Sequence, residues 1–190
     1  MAKENKNKLL AELHNLYKAN PTNTKQALFL LTKSAEQGDV EAQCALGLCY
    51  RCGMGVKQDS KQAMFWFTKA AENGHFGAQY NVGVAYLTGD MTKQDYKQAV
   101  HWFKKSAEQG FPEAQYDLGV CYMDGEGVDI NYTKALHWFR KAAKQGHASA
   151  QYNLGYFYYC GEFIPKDYKQ AKYWFRKAAE QGHPKAMNYL

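Results

Sequence analysis

The chain has 190 residues, of which 46% are hydrophobic and 22% charged, and its 24 Lys and Arg against 18 Asp and Glu leave a formal charge of +6. That apolar fraction excludes an intrinsically disordered chain, and no run approaches the 18 apolar residues that argue for a membrane-spanning helix. The opening Met1-Ala2-Lys3-Glu4-Asn5-Lys6 is polar and Leu9-Leu10-Ala11 is cut short by Glu12, so no signal-peptide core is expected and the expected address is the cytoplasm.

In chain order, the first segment, 3–38, contains a helix expected to begin after Asn23 and to end at Gly38, with Leu30 and Leu31 on its apolar side. The next segment, 39–74, reads as a helical hairpin. Its first helix carries Ala42, Leu46, Gly47 and Tyr50; a loop at Gly53 follows, and a second helix opens after Asp59 and runs to Gly74 with Ala63, Trp66-Phe67 and Ala70-Ala71 on one side. The same hairpin returns at 75–110, 111–146 and 147–182, always in steps of 36, and 183–190 begins another first helix.

Trp66, Trp102, Trp138 and Trp174 mark that step, as do Gly38, Gly74, Gly110, Gly146 and Gly182. A fixed period of this length is the signature of a repeat array. Thirteen of the sixteen glycines fall in three columns, so they are placed for backbone geometry. The second helices open on Asn23, Asp59, Asp95, Asn131 and Asp167, with Gln26, Gln62, Gln98, Lys134 and Gln170 three residues later, as in capped N-termini. Pro112 and Pro184 suit the opening turn of a first helix. A lone hairpin cannot bury both apolar sides, so neighbours stack into an all-α solenoid whose degenerate segment 3–38 caps its start.

These columns resemble the Sel-1-like repeat family, a relative of tetratricopeptide repeats. The strings that carry the resemblance are Ala114-Gln115-Tyr116-Asp117-Leu118-Gly119 with Tyr122, Gly125 and Gly127, then Ala135-Leu136-His137-Trp138-Phe139-Arg140-Lys141-Ala142-Ala143 and Gly146-His147. The resemblance covers 22–190 and implies a right-handed α/α superhelix that scaffolds protein complexes, with many bacterial members in signalling or host interaction. It leaves the partner open. Some relatives are linked to weak β-lactam binding or hydrolysis. That chemistry needs an activated serine, commonly in SxxK, and Ser34, Ser60, Ser106 and Ser149 all lack a lysine three residues on.

Cys49-Tyr50-Arg51-Cys52 is a CxxC, but no second pair accompanies it and Cys44, Cys121 and Cys160 complete an odd count; small helix residues with reduced thiols are expected. One branch of the family staples each repeat with a cysteine pair, yet the Ala71 and Gln43 columns that such pairs would use contain none. The six histidines form no HExxH and no cluster with cysteines, so no metal and no cofactor is expected. His101 and His137 share a second-helix slot with Phe65 and Tyr173 and read as packing residues, while His75, His147 and His183 read as loop residues. Lys69, Lys105, Lys141 and Lys177 recur in exposed slots; nucleic-acid or acidic-surface binding through them is the outlying alternative.

The functional expectation falls on one stripe of the first helices. Positions 45, 48, 49 and 52 have i, i+3, i+4, i+7 spacing opposite the Leu46/Gly47/Tyr50 seam, and their residues differ from repeat to repeat. In the tetratricopeptide-like arrangement this stripe lines a concave groove. The expected peptide-facing residues are Asn81, Val84, Thr88, Asp117, Val120, Asp124, Asn153 and Tyr156. Function is therefore read as a non-catalytic scaffold or adaptor, a monomer, binding a protein or peptide and no nucleic acid.

Overall fold

A computed structural model of the chain describes residues 21–189. Among the described residues there are helices α1 (Pro21–Glu36), α2 (Val40–Cys52), α3 (Ser60–Glu72), α4 (Phe76–Thr88), α5 (Tyr96–Glu108), α6 (Pro112–Asp124), α7 (Tyr132–Lys144), α8 (Ala148–Cys160) and α9 (Tyr168–Glu180), then a 3₁₀ turn at Ala186–Tyr189, and no strand. The fold is an all-α repeat solenoid. The chain divides into two compact units, Met1–Gln94 and Asp95–Leu190.

Within each unit the chain alternates first helices (α2, α4, α6, α8) and second helices (α3, α5, α7, α9), each 13 residues long. The second helices open as their sequence requires. Asp59, Asp95, Asn131 and Asp167 accept from the backbone N–H three residues on, at 2.9 to 3.1 Å, satisfying donors that the helix cannot. Helix α1 departs from expectation: it is already helical from Pro21, so Asn23 lies inside it, and the rest of the 3–38 segment falls outside the described residues. Each second helix closes on a left-handed glycine. At the end of α7, Gly146 sits at φ +90°, letting His147 N–H reach back to Ala142 O at 3.1 Å, and a side chain there would be strained.

The core lies where second-helix Phe rings meet first-helix glycines. Phe67, Phe103, Phe139 and Phe175 are the largest fully buried side chains. A Cβ on Gly119 would lie 2.7 Å from the Phe139 ring and one on Gly155 would lie 2.9 Å from Phe175, so only glycine allows that approach. The Trp column is also buried, at 7% exposure for Trp66, 8% for Trp102 and 9% for Trp138, with Trp174 half-buried. Lys105 and Lys141 lay their ammonium groups 4.6 Å over Trp102 and Trp138. His101 and His137, expected to pack inside, are exposed and stand edge-on to those same Trp rings, because the second-helix slot before each Trp points outward.

Two further columns fasten the hairpins. Gln43, Gln79, Gln115 and Gln151 are buried in the first turn of the first helices, each donating its amide to a carbonyl in the last turn of the preceding second helix: Ala35, Ala71, Ala107 and Ala143, at 3.0 to 3.1 Å. Each of these helix-end carbonyls already accepts the N–H of the capping glycine, at 3.0 to 3.1 Å, and the Gln amide fills its second acceptor position. In the unit Asp95–Leu190 the free amide oxygen of this Gln is met by a second Gln, Gln145 to Gln115 and Gln181 to Gln151, both at 2.8 Å. In the unit Met1–Gln94 the equivalent of Gln145 is Asn73, one methylene shorter. It donates to Lys69 O instead, and Gln43 Oε1 is buried without a partner.

Candidate functional site: the first-helix surface

Three first helices, α2, α4 and α8, begin on a side-chain cap, and at two of them it is a His that the sequence places in a loop, while α6 opens on Phe111 without one. The ring Nδ1 of His75 accepts from Ala78 N–H at 3.0 Å and that of His147 from Ala150 N–H at 3.2 Å; Asp39 does the same for Ala42 at 2.8 Å. An accepting Nδ1 leaves the proton on Nε2, which in His75 donates to Glu41 Oε2 at 3.1 Å. The signal was present in the sequence as a column one residue after the capping glycine.

The expected stripe is only partly open. Cys49, Ala85, Cys121 and Phe157 are buried in every repeat, which corrects their placement on the groove side. Helices α2, α6 and α8 each have second helices on both sides, so each has two packing seams. Cys49 joins Ala35 and Ala42 in one cluster, and Phe157 joins Ala142, Ala143 and Ala150 in another, both against the preceding second helix. Burial pushes the thiols of Cys49 and Cys121 up to about 11 and about 12, with neighbouring negative charge adding to the rise. Cys49 is thus a poor nucleophile near neutral pH.

The remaining columns differ between the units. In Met1–Gln94, Ala45, Leu48 and Asn81 are buried. Asn81 donates to Gly77 O at 2.8 Å and accepts from Arg51 of the preceding repeat at 3.1 Å, so its amide is spent within the unit and the expectation of a peptide-facing Asn81 is corrected. Val84 is half-buried, and Thr88 is exposed with its hydroxyl on Val84 O and Asp90. In Asp95–Leu190, Asp117, Val120 and Asn153 are half-buried, and Asp124 and Tyr156 are exposed. The Tyr116 ring stacks on His147 at 4.6 Å between centroids, joining α6 to the cap of α8; its pKa is raised by burial and then by Asp117.

Among the described residues no three His, Cys, Asp or Glu side chains gather into a metal-holding group, and no helix is long and apolar enough to cross a membrane. What stands open is side-chain surface on tandem hairpins, the property of α/α repeat proteins that work through contact with other macromolecules.

The chain belongs to the Sel1 repeat family, which it matches over 18–39, 40–75, 77–111, 112–147 and 148–183. Repeats of this family mediate protein–protein interactions and are generally non-enzymatic scaffolds. A protective antigen of uropathogenic Escherichia coli with an SLR fold is 43% identical, with a TM-score of 0.82 over 85% of this chain and 34% of its own. A Sel1 repeat protein from Oxalobacter formigenes is 34% identical, with a TM-score of 0.82 over 93% of this chain and 69% of its own. Cysteine rich protein B of Helicobacter pylori is 25% identical, with a TM-score of 0.55 over 71% of this chain and 97% of its own. The chain thus spans about a third of the length of the Escherichia coli antigen. No curated protein matches it.

Proposed function

We propose that the chain is a non-catalytic adaptor whose first-helix surface in the unit Asp95–Leu190 receives a protein segment. The observation that carries this reading is the contrast within single columns of the stripe: Asp117 and Asn153 keep solvent contact where Ala45 and Asn81 do not, and Tyr156 is exposed where Leu48 is buried. The open part mixes carboxylate, amide and apolar groups that differ between α6 and α8, which suits a partner of irregular sequence rather than a uniform polymer. A photo-cross-linking residue at Val120, set against one at exposed Lys144, tests the reading in native lysate. A discrete protein adduct from position 120 alone is expected. Equal labelling from both positions, or adducts from position 144 only, overturns the assignment.

A further inference from the structure

The last complete repeat differs from its predecessors in presenting exposed aromatic rings from its first helix. Tyr156 takes the slot of Leu48, Val84 and Val120, and Tyr159 that of Arg51, Leu87 and Met123. They are 45% and 43% exposed. Ring centroids separate Tyr152 from Tyr156 by 6.4 Å, Tyr152 from Tyr189 by 6.2 Å and Tyr159 from Tyr189 by 5.3 Å, so four phenols form one continuous cluster. The core of this repeat is already filled by Leu154 and Phe175, each 1% exposed. Tyr159 lays one edge on Phe175 and Tyr168, and both Tyr156 and Tyr159 keep more than two fifths of their surface in solvent; exposed aromatic surface of this kind marks interaction sites.

Charge narrows the partner. Helices α6 and α8 carry no Lys or Arg, and α6 carries Glu113, Asp117 and Asp124. The second helices α5, α7 and α9 carry eleven Lys and Arg against Glu108 and Glu180. The first-helix side of this unit is thus the negative one. The hydrogen-bonding geometry narrows the partner further. Helices offer a docking chain no strand edge, so its backbone must be met by side chains. Phenols donate readily to carbonyl oxygens, and a backbone poor in N–H groups presents mainly acceptors. Proline supplies that backbone, a ring face that packs on tyrosine, and a conformation set before binding.

We propose that the Tyr152/Tyr156/Tyr159/Tyr189 cluster docks a proline-rich segment in the polyproline II conformation, with an Arg or Lys of that segment meeting Asp117 and Asp124. The proposal rests on the docking role of the first-helix surface and names its ligand class. The link between rings and carboxylates is structural: Tyr116, beside Asp117 on α6, stacks at 4.6 Å on His147, the cap of the helix that carries Tyr152, Tyr156 and Tyr159. The negative potential also reaches into the helix, where Glu126, Asp117 and Asp124 add to the effect of burial on the Cys121 thiol.

Fluorescence anisotropy of the full chain with a labelled peptide of four Pro-Pro-Arg triplets tests it. Saturable binding is expected, weakened at least tenfold by Tyr156→Ala with Tyr159→Ala, two exposed positions whose removal leaves the helical circular dichroism intact. Asp124→Asn is expected to weaken this peptide while leaving a Pro-Pro-Gln peptide unaffected. A Ser-Ser-Arg peptide that binds equally well overturns the proposal, since charge alone then suffices; so does unchanged binding by the folded double tyrosine variant. Absence of peptide binding with a discrete adduct at position 120 rejects the ligand class alone. Absence of both rejects the docking surface itself.

Discussion

Asn73→Gln is expected to stabilise the protein. In the unit Asp95–Leu190 the amides of Gln145 and Gln181 close onto Gln115 Oε1 and Gln151 Oε1 at 2.8 Å, and Gln145 also donates to Gly110 O at 2.9 Å. Asn73 falls short of Gln43 by one methylene, so Gln43 Oε1 is buried and unmet. An unsatisfied buried acceptor costs about 1–3 kcal/mol, while a bond made to it contributes about 0.5–1.5 kcal/mol net. Against this stand the lost bond from Asn73 to Lys69 O at 2.9 Å and the ordering of a longer side chain. The first is partly exposed to water and worth little. The second costs some tenths of a kcal/mol. A net gain of about 0.5–1 kcal/mol follows, which for a chain of this size raises the melting midpoint by roughly 1–4 °C. Urea titration followed by circular dichroism at 222 nm reads it, with Gln145→Asn as the mirror experiment, expected to destabilise by about 1–2 kcal/mol. If Asn73→Gln is neutral and Gln145→Asn costs nothing, the paired amides are not structural contributors and the reasoning fails.

Three other outcomes are expected. Gly119→Ala forces a methyl to within 2.7 Å of the Phe139 ring and should destabilise by about 1–3 kcal/mol, measured by the same titration; an unchanged midpoint would mean the ring yields freely. Maleimide at pH 7.5 should label exposed Cys52 quickly, while Cys49 and Cys121, buried and with pKa raised to about 11 and about 12, stay unlabelled until the chain unfolds, read by peptide mass spectrometry. Burial and then Lys185 lower the pKa of His183 from 6.5, so the folded chain binds fewer protons there than the unfolded one. The resulting stability is complete above pH 6.5 and is lost as pH falls through the depressed folded value, so the urea midpoint of His183→Gln should fall less on acidification than that of the native chain.

Much of this architecture can be read from the residues because a repeat states each requirement several times. The Asp59, Asp95, Asn131 and Asp167 caps, the left-handed glycines and the Phe-against-Gly seam all sit where the 36-residue step puts them. The candidate surface was harder. A helical wheel separates one packed side from one open side, whereas α2, α6 and α8 are each packed by second helices on two sides, so Cys49, Cys121 and Phe157 are buried despite their spacing. Exposure along the Asn81 column depends on tertiary neighbours such as Arg51, which no local pattern records. The Gln43 and His75 columns were visible as repetition, but a repeated polar residue reads as surface until its bond to a helix-end carbonyl or amide is seen. The tyrosine cluster depends on Tyr189 folding back beside Tyr152, a contact 37 positions apart in the chain.

The joint between repeats also has a consequence for how such a chain changes length. Gly110 and Gly146 adopt the same conformation, at φ +94° and +90°, and each is followed by a residue that opens a helix of identical length. Excising Phe111 to Gly146 would join Gly110 to His147 with the cap, the reach-back bond and the Gln151 fastening all reconstituted from groups already present. The splice is chemically indistinguishable from the native one. Whole repeats are therefore the natural quantum of insertion and deletion here: a gain or loss of 36 residues keeps each bond type, while a gain or loss of one residue inside a helix shifts that hairpin's Phe against its Gly.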